Sequence, residues 1–216
     1  MTPTTQKRPQ PGESAPSFGL PAVQEDRLVS LSDYRGKSPL LLGLFPGLYC
    51  PFCRRAMAQM ASSSERLKPL GVESLAVVGT ELENARLYFK FRPSKMPLAV
   101  DPLLTTHQSY GLPRPEPTPE LMEAIMATRV NPTGELPEPM PIPQAAEVLA
   151  KLDGVQLTET DQRERQWQFT QMKGQFLIDR DGVIRWSHVE CEREGLAGFG
   201  KFPTYDELLA ATELAR

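Results

Sequence analysis

Cys50 and Cys53 are three residues apart, inside the run Phe45-Pro46-Gly47-Leu48-Tyr49-Cys50-Pro51-Phe52-Cys53-Arg54-Arg55. At the start of a helix that spacing puts both sulfurs on one face, where a short disulfide can close. Cys50 falls at the N-cap position and Pro51 at the first helical position, where its missing amide costs nothing. The amides of Phe52 and Cys53 then point at the Cys50 sulfur. Those amides, the positive end of the helix dipole and the nearby Arg54 and Arg55 all favour a thiolate. Such surroundings lower a thiol from about 8.5 into the range ~3.5–7.5. A thiolate beside a second thiol can attack a disulfide. It can also attack a peroxide O–O bond to give a sulfenic acid, which the neighbouring thiol condenses into a disulfide. Either route leaves Cys50 joined to Cys53, and an outside thiol reductant must reset the pair.

Other readings of these residues carry less. A structural zinc site needs four ligands. Only Cys191, His107 and His188 could complete one, and there is no second Cys-x-x-Cys. Met57 and Met60 read as core side chains. Cys191 follows the last strand and reads as an inert, half-buried thiol, with a second resolving cysteine as the alternative. His188 reads as a strand residue with a satisfied hydrogen bond rather than a base. No metal and no cofactor are expected.

The surrounding elements must hold this pair. Residues 40–45 form an uninterrupted apolar run, as in a strand buried on both faces. The helix that follows, over 51–68, carries an apolar stripe of Ala56, Met57, Met60, Ala61 and Leu67. Further on, the pattern predicts a strand over 72–78, a helix over 81–91 with Leu82, Ala85, Tyr88 and Phe89 inward, and a short strand over 97–100. A helical turn over 101–110 ends at Gly111. Before the first central strand, residues 18–31 read as a hairpin turning at 24–27, followed by a helical turn over 32–37. After residue 170, a strand over 176–179, a turn at Arg180-Asp181-Gly182 and a strand over 183–189 make an antiparallel hairpin. A helix over 205–214 closes the chain. This order implies an α/β fold, a central mixed β-sheet flanked by helices.

Residues 112–170 have a different character. Nine of the chain's 22 prolines lie between Pro113 and Pro143. Helices are expected over 120–128, 144–152 and 160–169. Alternating prolines at 137, 139, 141 and 143 favour extended polyproline geometry. The segment reads as a Pro-rich, partly helical insertion in a single domain spanning 18–216, and a lid, a homodimer contact and plain decoration are all open roles. Residues 1–17 read as a flexible tail.

Bulk properties exclude several classes. A net charge of -3 over 216 residues argues against a nucleic-acid surface. No apolar run approaches the ~18–20 residues of a membrane span, and the first residues lack a signal peptide's apolar core. Three cysteines are too few for a disulfide scaffold. A cytoplasmic chain is expected.

Three stretches resemble the redoxin branch of the thioredoxin superfamily, which includes the AhpC/TSA peroxiredoxins (alkyl hydroperoxide reductase and thiol-specific antioxidant). They are Ala15-Pro16-Ser17-Phe18-Gly19-Leu20 with Leu31-Ser32-Asp33-Tyr34-Arg35-Gly36-Lys37, the loop 46–54, and Phe176-Leu177-Ile178-Asp179-Arg180-Asp181-Gly182. The resemblance spans most of 15–111 and 172–215 and implies a thioredoxin-like fold. Pro46, Cys50 and Cys53 fall on the proline, hydroxyl residue and peroxidatic cysteine of peroxiredoxins, with a cysteine in the hydroxyl residue's place. Lys173 falls where those proteins carry an arginine, so a cation is kept without the bidentate fork. This likeness implies a hydroperoxide-reducing enzyme in which Cys53 attacks, Cys50 resolves, Pro46 shapes the turn and Lys173 stabilises negative charge. Tyr49, Cys50 and Cys53 also resemble the aromatic-Cys-x-x-Cys of thioredoxin-like reductases, which would make Cys50 the nucleophile on a disulfide substrate. Those proteins carry a proline just before the late strand, and Met172-Lys173-Gly174-Gln175 has none. A redox-sensing binding module that uses the insertion is the third reading. The recycling partner would be a thioredoxin- or glutathione-type thiol.

Overall fold

A computed structural model describes residues 7–215. Its centre is a five-stranded mixed sheet with helices packed against it. In chain order the elements are β1 (Gly19–Pro21), β2 (Leu28–Ser30), β3 (Leu40–Phe45), α1 (Pro51–Leu67), β4 (Glu73–Val78), α2 (Leu82–Phe91), β5 (Leu98–Val100) and α3 (Thr105–Ser109). Then come α4 (Pro119–Ala127), β6 (Arg129–Val130), β7 (Met140–Pro141), α5 (Ile142–Asp153), α6 (Glu159–Gln168), β8 (Gly174–Ile178), β9 (Ile184–Val189) and α7 (Tyr205–Glu213).

The sheet order is β5-β4-β3-β8-β9. β3, β4 and β5 run parallel, and β8 and β9 run antiparallel to their neighbours. β3 is the central strand and is buried along its whole length, as its apolar run requires. Its side chains alternate between two cores. Leu41 and Phe45 meet Met57 and Met60 of α1, Ala85 of α2 and Leu208 of α7. Leu40, Leu42 and Leu44 meet Leu20 and Val29 of the β1–β2 hairpin and Tyr110 just beyond α3. That hairpin pairs Leu20 with Val29, at the centre of the span its pattern predicts.

The 8–17 stretch departs from the expected loose tail. Gly12 and Ala15 donate backbone bonds to Ile184 and Gly182, and Ser14 bridges to Val183. Residues 1–6 of that expected tail lie outside the described residues.

The 112–170 segment contains the three expected helices, with bounds shifted by a few residues. The polyproline expectation does not hold. Met140–Pro141 pairs antiparallel with Arg129–Val130, and Pro143 sits in the first turn of α5, where a missing amide goes unneeded. The segment leans on the core at two places. Ala145 and Leu149 of α5 join Val130, Leu136 and Phe52 of α1 in a separate apolar cluster. α6 meets the ends of β4 and α2 through polar side chains.

Candidate active site

Cys50 caps α1 from an extended conformation, and its sulfur accepts from the Cys53 amide at 3.4 Å. Pro51 occupies the first turn as its sequence position predicts. The sharp exit from β3 is held by the Gly79 amide, which donates to Phe45 O at 2.8 Å, so residues 46–49 turn over the C-terminal end of the sheet. Pro46 is buried in that turn. A β-carbon at Gly79 would fall 2.2 Å from the Pro46 carbonyl oxygen, so only glycine lets the turns after β3 and β4 approach this closely.

The two thiols are both reduced and differ in their surroundings. Cys50 is half-buried, whereas Cys53 is only 3% exposed. Hydrogen bonding from the Cys53 thiol, and then the Lys173 charge and the Cys53 amide, outweigh burial and bring the Cys50 thiol down to about 7. The same hydrogen bond seen from the other side, together with burial, pushes Cys53 well above its ordinary value. Desolvation also raises Tyr49 strongly, which keeps that phenol neutral beside the pair.

Lys173 immediately precedes β8 and is buried with the Glu190 carboxylate as its partner. Burial works against its charge, but Glu190 and the Cys53 sulfur more than restore it. Glu190 also accepts from the Gly200 amide at 2.8 Å. Lys173 Nζ lies 5.7 Å from the Phe199 ring centroid, and Phe199 meets Phe52 edge-on at 5.1 Å. Cys50, Cys53, Lys173 and Pro46 thus gather around one end of the sheet. Glu190 joins them, although its residue type does not stand out. A plain count of pairs outward from the Asp-Gly turn sets Lys173 against Val189, but a bulge between Leu177 and Ile178 shifts the register by one, so Gly174 opposes Val189 and the next pair out is Lys173 with Glu190.

Arg54 and Arg55 point away from the sulfurs. Arg54 reaches Asp153 through Nε at 2.8 Å and Nη2 at 2.5 Å, and Leu48 O through Nη1 at 2.6 Å. Arg55 holds the other Asp153 oxygen at 2.7 Å and also Glu135. These arginines fasten the 112–170 segment to α1 instead of facing the thiols. Asp153 and Glu135 carry no motif, so their role rests on tertiary placement alone. Outside this group, His188 Nδ1 pairs with Gln175 Oε1 at 3.0 Å. Burial and then the Glu190 charge push the Cys191 thiol up to about 12, which leaves it a poor nucleophile.

A parallel–antiparallel sheet with a dithiol at the mouth of the helix after its central strand defines a redoxin. The AhpC/TSA family model matches residues 11–187, and the chain belongs to that family. Over 108 residues it is 35% identical to the thiol-disulfide oxidoreductase ResA of Halalkalibacterium halodurans, a match covering 50% of this chain and 59% of that protein. The chain thus spans 59% of the length of that curated relative. Among solved structures it is similar to the peroxidoxin BcpB of Mycobacterium tuberculosis, with a TM-score of 0.58 and 13% identity over 97% of each chain. The reduced 2-Cys peroxiredoxin of Plasmodium vivax gives 0.55 and 16% identity, over 92% of this chain and 77% of the other. Identities this low speak to the thioredoxin-like fold alone.

Proposed function

We propose that the protein is a thiol-disulfide oxidoreductase in which Cys50 is the nucleophile and Cys53 the resolving thiol. One observation carries this order: Cys50 is the less buried residue and its sulfur receives the Cys53 amide, while Cys53 is buried. The leading expectation from the sequence had the roles reversed.

In the forward step the Cys50 thiolate attacks a substrate disulfide. A bond forms between Cys50 Sγ and one substrate sulfur, and the other substrate sulfur leaves as a thiolate and takes up a proton. Cys53 then loses its proton and attacks Cys50 Sγ. The Cys50–Cys53 disulfide forms and the second substrate sulfur leaves. The pair has lost two electrons and the substrate disulfide has gained them, and an external dithiol returns the enzyme to its starting state. The buried Lys173 offsets negative charge on either sulfur during the exchange.

A hydroperoxidase is the second reading, favoured by the register of Pro46, Cys50 and Cys53 at the turn. There the attacking thiolate breaks the O–O bond, becomes a sulfenic acid and releases an alkoxide or hydroxide that is then protonated. The other thiol condenses with the sulfenic acid and water leaves.

Single Cys→Ser variants separate the two. With a disulfide substrate, Cys53→Ser should trap a mixed disulfide on Cys50, and Cys50→Ser should trap none. Rapid sulfenic acid formation on Cys53 in Cys50→Ser after peroxide, with no mixed disulfide in Cys53→Ser, would establish the peroxidase order instead. Cys50 alkylation should rise towards about pH 7 as its thiolate forms.

A further inference from the structure

α6 buries a polar face. Asp161, Glu164 and Gln168 recur at helical spacing and are 4%, 6% and 0% exposed. Much of this face is satisfied. Asn84 Nδ2 donates to Asp161 and to Thr80 Oγ1, each at 2.9 Å, and Thr158 Oγ1 donates to Asn84 Oδ1 at 2.8 Å. Glu164 Oε1 accepts from Thr80 Oγ1 at 2.9 Å and from the Glu81 amide at 3.1 Å. Gln168 Nε2 donates to Gly79 O at 3.0 Å.

Two buried oxygens are left over. Glu164 Oε2 and Gln168 Oε1 have no hydrogen-bond partner among the described residues. The two side chains are one helical turn apart, the spacing at which helix neighbours meet, and both anchor on residues 79–81. Two bare acceptors brought together repel, whereas a carboxylic acid brought to an amide oxygen makes a hydrogen bond. Leaving buried acceptors unmatched is unfavourable, and a single shared proton would match both.

The site also reaches the active-site turn. A β-carbon at Gly47 would lie 3.1 Å from Gln168 Oε1. Gln168 therefore touches the turn after β4 through its nitrogen and faces the turn before Cys50 through its oxygen.

We propose that Glu164 and Gln168 are a positioning pair: protonated Glu164 donates to Gln168 Oε1, and the closed pair holds the 46–49 turn and the Cys50 sulfur in reactive register. On ionisation the proton leaves to solvent, the two acceptors part, and α6 loosens from the turn. The part about Cys50 rests on the thiol chemistry proposed above.

The neighbouring charges agree with this. Burial, opposed by the Thr80 and Glu81 hydrogen bonds and assisted by the charges of Asp161 and Glu81, brings Glu164 up to about 7. Asp161 and Arg165 are the charged groups beside it on α6, Glu81 faces it from the start of α2, and Tyr49 faces it from the turn. No cation is hydrogen-bonded to Glu164 among the described residues.

Amide hydrogen exchange over 158–170 and 45–53 tests the pair in full-length Cys50→Ser protein, where the Cys50 thiol cannot titrate. After correction for intrinsic exchange, protection in both segments should fall by roughly tenfold between about pH 6 and about pH 8, as one neutral-range ionisation releases the latch. Glu164→Gln keeps the acceptor for Thr80 and supplies a permanent donor to Gln168, so its protection should stay flat. Gln168→Leu removes the acceptor of the acid form, so the step should move to lower pH. Flat protection without either change, a step surviving in Glu164→Gln, or an unmoved midpoint in Gln168→Leu would each overturn the proposal. If Glu164→Gln fails to fold, infrared difference spectra of the Cys50→Ser protein serve instead. A carboxylic-acid carbonyl band titrating near neutrality, with its midpoint moved in Gln168→Leu, supports the pair, and its absence refutes it. With Cys50 present, alkylation per thiolate should decline above neutrality and should not do so in Glu164→Gln. An undiminished rate overturns the link to Cys50. Exchange and alkylation need no disulfide-reducing turnover, so failure here is distinct from failure of the oxidoreductase reading.

Discussion

α5 and α6 come from the same proline-bearing segment, yet they grip the core in opposite ways. α5 uses Ala145 and Leu149 against Phe52, with Asp153 clamping two arginines of α1 at its end. α6 has almost no apolar contribution and uses an acid, an amide and a capping box. The first contact depends on apolar area and on ion pairs. The second depends on a proton count. One attachment is therefore permanent and the other conditional, and both end within reach of the same cysteine-bearing turn.

The strongest way to break this contrast is Asp153→Ala. It strands Arg54, whose side chain is only 4% exposed, and weakens Arg55. Stripping the partner from a buried charge costs ~3–5 kcal/mol. Urea unfolding should show that loss, and a change below about 1 kcal/mol would mean that the arginines find water instead. Leu149→Ala comes next, at about 3 kcal/mol for a fully buried leucine. That loss should be the same at pH 5 and pH 8, because no titrating group is involved. Thr158→Ala is smaller. It removes the N-cap of α6, which accepts from the Asp161 amide at 3.0 Å, and should cost ~1 kcal/mol, with exchange increased in α6 and not in α5.

A last test uses pH dependence. Folding raises Glu164 from its ordinary 4.5 to about 7, so between those values the folded chain holds a proton that the unfolded chain has released. The Glu164 contribution is thus complete below about pH 4.5 and is lost as pH rises through about 7. Unfolding curves for the parent and for Glu164→Gln should converge at acid pH and separate through neutrality. Parallel curves would remove Glu164 as the titrating group.

The core was legible because its signals are local. The apolar run at β3, the stripe on α1 and the Asp-Gly turn before β9 each specify an element without help from the rest of the chain. The cysteine pair was legible for the same reason, since Pro51 and the N-cap position suffice to place both sulfurs. The proposed order of attack was not, because the proposal rests on how deeply Cys53 sinks and on Lys173, which is far away in sequence. The prolines at 137–143 misled because proline fixes its own torsion but does not choose among a strand edge, a bend and a first helical turn. Asp153, Glu135, Glu164 and Gln168 read as ordinary surface residues, since buried polar partners betray themselves only when the opposite wall is known.

The N-terminal segment has a consequence for handling this chain. A five-stranded sheet measures ~19 Å from first to last strand at ~4.8 Å spacing. The seven residue-to-residue steps from Ala15 to Ala22 reach ~23 Å when extended. That length lets one stretch lie against the turn into β9 at one margin, through Ser14 and Ala15, and against β5 at the other, through Ala22 and Val23. These bonds cover β5 at Leu98 and Ala99 and the approach to β9 over residues 182–184, so those backbone groups are not open to a second molecule. Trimming the chain at residue 16 to tidy its start would expose the backbone groups of residues 182–184 and lengthen the open edge available for strand-to-strand association, turning a cosmetic cut into a solubility defect.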